Sequence, residues 1–157
     1  MSSCLRTGWN KMNNRFIIFL VEDNPADVRL TKEALINGKV KHELHVASDG
    51  VEAIAFLRRQ SPFRKAPRPD LILLDLNLPR KDGREVLAEI KADPDLMGIP
   101  VIILTSSLAE EDILKSYNLY ANGYIVKPVD LEQFFRIIRQ IKEFWMSIVV
   151  LPPKVSK

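Results

Sequence analysis

Acids, hydroxyls and a lysine stand where the apolar runs of this chain stop. FIIFLVE, Phe16 to Glu22, leads into Glu22-Asp23, and LILLD, Leu71 to Asp75, ends in Asp75. IPVIILTS, Ile99 to Ser106, ends in Thr105-Ser106, and GYIV, Gly123 to Val126, is followed at once by Lys127-Pro128. If these runs are strands of one parallel sheet, their carboxyl ends share a rim, and open parallel sheets bind ligands beyond that rim. Three carboxylates converging there repel one another, so they must be protonated or neutralised. A hard divalent cation does this well. Mg²⁺ takes oxygen ligands, keeps several waters, and uses few protein carboxylates alongside phosphate oxygens. A lysine ammonium supplies one further positive charge.

Each residue alone has an ordinary explanation. An aspartate after a strand commonly caps a helix, and a lone lysine or threonine at a strand end is commonly a surface group. The ordinary explanation does not supply the joint occurrence. An acid pair, an acid, a hydroxyl and a Lys-Pro each end a different strand, in order, on one rim.

The elements that must position these groups alternate along the chain. Phe16 to Glu22 is continuously apolar, as a strand buried on both faces should be. Asn24-Pro25 offers a helix start, the helix runs over Ala26 to Ile36, and Gly38 ends it. His42 to Ser48 alternates as a strand does, and Asp49-Gly50 leads into the amphipathic VEAIAFLRR. Pro62, Pro67 and Pro69 mark a loop. Leu71 to Asp75 is the third strand, Lys81 to Lys91 a helix and Ile99 to Ser106 the fourth strand. Glu110 to Tyr120 is a helix, Gly123 to Val126 a short fifth strand, and Asp130 to Met146 a closing helix. Five such units imply an α/β fold with a doubly wound, five-stranded parallel sheet and right-handed crossovers. The expected order is 2-1-3-4-5, with the second strand at an edge. Residues 1–14 are expected to be a leader, 15–146 the domain and 147–157 a short tail.

Composition bounds the function. One cysteine, Cys4, leaves no disulfide framework and fits a reducing compartment. No apolar run approaches the ~20 residues that span a bilayer, and the N-terminus lacks a signal peptide's apolar region. A cytoplasmic protein with no membrane partner is expected. The net charge of +3 and pI near 9.0 raise the question of nucleic acid. Much of that charge is local, in Arg58 to Arg68 (RRQSPFRKAPR), which reads as a solvated loop or a docking patch for an acidic partner. No nucleic-acid partner is expected.

At this point the sequence resembles the receiver domains of two-component response regulators, from about Phe16 to Trp145. The matching motifs are VEDNPAD after the first strand, LILLDLNLPRKDG around the third, IILTS at the fourth and GYIVKPVD at the fifth. More narrowly, the proline-containing loop at Ser61 to Arg68 and the wording DLNLPRKDGREVL resemble the small receivers paired with cyanobacterial phytochromes. The leader has no counterpart in that resemblance. The resemblance implies a flavodoxin-like receiver fold and a signalling switch, not an enzyme with turnover. Asp75 would be the phospho-acceptor, taking a phosphoryl group from a sensor histidine kinase, here of the phytochrome type. Glu22, Asp23, Asp75 and the backbone carbonyl of Asn77 would hold Mg²⁺. Thr105 would hydrogen-bond a phosphoryl oxygen and Lys127 would pair with the phosphoryl group. The Lys127-Pro128 bond would be cis. Tyr124 would be the aromatic switch, turning into space that Thr105 vacates on phosphorylation, with no organic cofactor.

The last helix carries more apolar surface than one core contact needs. Leu131, Phe134, Ile138, Ile141, Trp145 and Ile148 make one stripe, and Phe135, Ile137 and Phe144 widen it. The helix is either covered by its own tail, Ile148 to Leu151, or is part of a homodimer face built with the fourth helix and fifth strand.

Three other functions fit less well. A flavin-binding electron carrier would need hydroxyls and amides in its first loop, where EDNPAD instead repels phosphate. A Mg²⁺-dependent aspartyl-phosphate phosphatase usually has a second carboxylate two residues after the nucleophile, where this chain has Asn77. A DNA-binding regulator would need an added helix-turn-helix after Trp145.

Overall fold

The computed structural model describes residues 16–37, 41–107, 109–127, 132–137 and 139–140. Its strands are β1 (Phe16–Val21), β2 (His42–Ala47), β3 (Leu71–Asp75), β4 (Val101–Thr105) and β5 (Gly123–Val126). Between them lie α1 (Pro25–Asn37), α2 (Gly50–Leu57), α3 (Gly83–Ala92) and α4 (Ala109–Ser116). Residues 132–137 and 139–140 are helical after β5. The pairings are parallel and the order is β2-β1-β3-β4-β5, as the strand–helix alternation implies.

Every residue of β3 and β4 is buried, which is why LILLD and VIILT carry no polar alternation. The period of two splits them between two cores. Phe19, Val21, Ile72, Leu74, Val101 and Ile103 pack on the side of α2, α3 and Leu114 of α4. Ile18, Leu20, Leu71, Leu73, Ile102 and Leu104 pack with Ala34 and Leu35 of α1 and with Phe134. Truncating one such leucine to alanine costs about 2–5 kcal/mol, so the central strands are a stiff platform for whatever their ends carry.

Several boundaries differ from expectation for local reasons. α3 begins at Gly83 rather than Lys81 because Asp82 is its cap, in a reciprocal capping box with Glu85. α4 stops at Ser116 rather than Tyr120, and Asn118 just beyond takes φ 60°, the left-handed conformation that asparagine tolerates. α2 ends at Leu57, short of Arg58 and Arg59, and Arg59 has φ 54°. β4 begins at Val101, after Pro100, which has no N–H for the ladder. The strands expected to reach Glu22, Ser48 and Ser106 each stop one residue earlier.

The loop Arg58 to Arg68 is largely exposed, as a solvated loop would be, but it is anchored at points. Phe63 meets Phe56 edge-on at 5.6 Å between ring centroids, and Arg58 pairs with Glu89 and Asp93, each at 3.3 Å. Of the expected apolar stripe on the last helix, Phe134 is buried and Phe135 and Ile137 pack against the core. Leu131, Ile138, Ile141, Phe144, Trp145 and Ile148 lie outside the described residues. So do the leader, the tail and the Lys127–Pro128 bond; a cis bond among the described residues joins Ser61 to Pro62.

Candidate functional site

Strand register brings the strand-end groups together. Val21 pairs with Leu74, so Glu22 stands beside Asp75. Asp75 pairs with Leu104, and Thr105 with Val126. Lys127 follows immediately, its N–H donating to the Thr105 carbonyl at 2.7 Å.

Each side chain is held by its own element. The Glu22 N–H donates to the Ala47 carbonyl at 2.9 Å, and Glu22 is 2% exposed. Asp23 is exposed. Asn24 caps α1, its Oδ1 accepting from the Ala26 N–H at 2.8 Å, and Pro25 occupies the first helical position, where a missing N–H costs nothing. Asp75 is 2% exposed, and its Oδ1 accepts from the Asn77 N–H at 3.1 Å. The buried Thr105 hydroxyl donates to the Ser107 carbonyl at 3.1 Å.

Lys127 is the hub. Its Nζ lies 2.8 Å from Glu22 Oε1, 3.1 Å from Asp27 Oδ2 and 3.2 Å from Asp75 Oδ2. Burial works against the ammonium, yet Glu22, Asp75 and Asp27 outweigh it and raise its pKa. Burial pushes the Glu22 carboxyl up to about 7; Lys127 pulls it back only in part, and Asp75 adds to the rise.

Glu22, Asp23 and Asp75 present carboxylate oxygens that all lie within 4.8 Å of one another. These are hard oxygen ligands at the spacing a small divalent cation needs. Glu22 Oε1 is buried without a hydrogen-bond partner among the described residues, although it is within ion-pair distance of Lys127. One ammonium does not neutralise three converging carboxylates, so the cluster still favours a further cation. The residues present therefore fit a divalent ion.

The sequence-derived set is thus largely convergent: Glu22, Asp23, Asp75 and Lys127 meet, with Thr105 on the adjoining strand end. Asn77 is exposed, two residues past Asp75. Tyr124 packs on the α2–α3 side of the core, and its hydroxyl is buried, with the Ala121 backbone as a weak partner at most. The inward turn expected of this position therefore starts from a ring whose hydroxyl is already covered.

Sequence reasoning missed two contributors. Asp27 belongs to the site, and the available signal was its place inside VEDNPAD, in the first turn of the helix after the acid pair. Arg84 bridges Asp82 and Glu110, tying the start of α3 to the start of α4. Nothing in the local pattern marks that pair.

The comparisons agree with this geometry. The family model described as response regulator receiver domain matches residues 18–139. Response regulator Rcp1 of Synechocystis sp. is 51% identical over 136 residues, which is 87% of this chain and 92% of that protein. The crystal structure of the phosphorylated cyanobacterial phytochrome response regulator RcpA matches with a TM-score of 0.70 at 57% identity, covering 85% of this chain and 95% of that one. The Mn²⁺-bound form of Rcp1 matches with a TM-score of 0.69 at 51% identity, over 83% of this chain and 94% of that one. The chain belongs to the response regulator receiver domain family, the phosphorylated switches of two-component signalling.

Proposed function

We propose that Asp75 is the phospho-acceptor of this receiver and that its donor is a phytochrome-type sensor histidine kinase. The observation that carries the reading is the placement of Lys127 Nζ 3.2 Å from Asp75 Oδ2, beside the Glu22–Asp23–Asp75 oxygen cluster. A carboxylate oxygen of Asp75 forms the new O–P bond as the P–N bond of the phosphohistidine breaks. Lys127 meets the charge on the arriving phosphoryl oxygens, and the Thr105 hydroxyl leaves the Ser107 carbonyl to donate to one of them. Glu22, Asp23, Asp75 and the Asn77 carbonyl would hold Mg²⁺. That ion, when bound, supplies positive charge against the transferred group. The protein assists its own phosphorylation and dephosphorylation and turns over no other substrate.

The kinase assignment rests on the 57% identity to RcpA, a phytochrome response regulator. An open groove lined by Glu22, Asp23, Val28, Arg29, Lys32 and Val46 gives a macromolecular donor access to the acids. The domain reading is 15–146, flanked by the 1–14 leader and 147–157 tail. Output goes through protein contacts in the cytoplasm rather than through nucleic acid or a membrane. A homodimer through α4, β5 and the last helix fits the exposed Ile113, Tyr117 and Tyr120; a monomer in sedimentation at tens of micromolar, with and without phosphorylation, would count against it.

The test of the acceptor is intact mass after incubation with acetyl phosphate and Mg²⁺. One phosphoryl group should add to the wild type and none to Asp75→Asn, and chelating the metal should abolish the addition. Stoichiometric labelling of Asp75→Asn would overturn the assignment.

A further inference from the structure

Asp27 makes a contact in this site that none of the roles above uses. It is the third residue of α1, and its backbone is pinned on both sides. Its N–H meets the Asn24 Oδ1 cap at 3.4 Å, and its carbonyl accepts from the buried Thr31 hydroxyl at 3.0 Å. Its side chain reaches Lys127 across 100 positions of sequence.

Three carboxylates surround the Lys127 ammonium, and they differ in what else they must do. Glu22 Oε1 is nearest at 2.8 Å, and Asp27 Oδ2 accepts a hydrogen bond from Nζ at 3.1 Å. Glu22 and Asp75 lie at ion-pair distance from it. Glu22 and Asp75 also belong to the cation cluster, so a bound metal would draw on their carboxylates. Asp27 has no such second task. A lysine stem has four rotatable bonds and loses much freedom when its head is fixed. A charge-assisted bond from a pinned helix position fixes the head before the phosphoryl group arrives.

We propose that Asp27 is a positioning residue that holds the Lys127 ammonium beside Asp75, ready to meet the phosphoryl group. The inference rests on Asp75 being the acceptor. The plainer alternative is that Asp27 is a first-turn acid that only complements the helix dipole. That role would move stability and nothing at Lys127.

Two measurements on the full chain separate these. The first is the rate of phosphorylation by saturating acetyl phosphate and Mg²⁺, in which Asp75 gains the O–P bond and acetate leaves. Asp27→Ala should slow it by about fivefold, equivalent to about 1 kcal/mol. Asp27→Asn keeps an acceptor oxygen at the same place and should stay within about twofold of wild type, because positioning needs the bond more than the charge. The second is the ¹⁵N–¹H signal of the Lys127 ammonium in metal-free protein, identified by its loss in Lys127→Ala. It should be sharp in wild type and Asp27→Asn and exchange-broadened in Asp27→Ala. Unchanged rate and signal in Asp27→Ala would overturn the proposal. So would equal slowing in both variants together with equal loss of thermal stability. If the wild type takes no phosphoryl group, the acceptor reading fails, and the ammonium signal still decides whether Asp27 holds Lys127.

Discussion

Gly83 and Asp75 are packed backbone to backbone: a Cβ on Gly83 would lie 2.4 Å from the Asp75 carbonyl oxygen, and 2.6 Å from Leu76 Cα. The Gly83 N–H also donates to the Leu76 carbonyl at 3.1 Å. The start of α3 is thereby locked to the strand end that carries the proposed acceptor. Gly50 has a matching place against the other side of this loop, where a Cβ would meet the Lys81 carbonyl oxygen at 2.0 Å.

Gly83→Ala should therefore destabilise the fold by about 2–3 kcal/mol, since neither contact is the end of a flexible side chain. Urea denaturation checks this. The Gly98 position is the control, because a Cβ there meets nothing within 4 Å; Gly98→Ala should change stability by less than about 0.5 kcal/mol.

Removing Lys127 should hurt stability as well as phosphorylation. Lys127→Ala leaves the Glu22 and Asp75 side chains, 1% and 3% exposed, buried with no counter-charge. The expected loss is about 3 kcal/mol at pH 8 in chelator. Millimolar Mg²⁺ should return part of it by binding the folded state. Equal unfolding midpoints for wild type and variant would mean that the ion pairs contribute nothing net.

Metal-free stability should fall as pH rises. Folded Glu22 has a pKa of about 7 against an ordinary 4.5. Because the folded value is the higher one, its contribution is full below 4.5 and is lost as the pH rises through 7. Thermal melts in chelator at pH 5.5 and pH 8 should show the lower midpoint at pH 8. Glu22→Gln should flatten that difference. The same carboxyl must lose its proton to hold a cation, so the apparent Mg²⁺ affinity should weaken on acidification from pH 8 to pH 6.

Tyr124→Phe should cost little. The hydroxyl is buried, with the Ala121 backbone as a weak partner at most, so its removal forfeits little. Stability should change by less than about 1 kcal/mol. A loss greater than about 1 kcal/mol in thermal denaturation would show that the hydroxyl has a strong partner after all.

Much of this protein was legible in the chain itself because period and punctuation are local. LILLD and VIILT are apolar throughout, and only a strand covered on both faces tolerates that. The strand–helix alternation then leaves few topologies, and the rim that gathers Glu22, Asp23, Asp75, Thr105 and Lys127 follows from a parallel sheet. The errors were of one to four residues and came from local competition. Asp82 takes the cap that Lys81 was expected to precede, and Asn118 ends a helix that apolar spacing alone would carry to Tyr120.

Tertiary structure alone decided which groups touch. Asp27 and Lys127 are 100 positions apart, and Arg84 and Glu110 are 26 apart. No period or motif sets which of several nearby charges a flexible side chain will choose. Register between strands and the pinned start of α1 make that choice, placing three carboxylates within 3.2 Å of one ammonium. The same holds for the close approach at Gly50 and Gly83 and for the covered Tyr124 hydroxyl. Sequence determined which chemistry this rim could perform; packing determined which atoms are free to perform it, because contact distances depend on the whole fold rather than on neighbours in the chain.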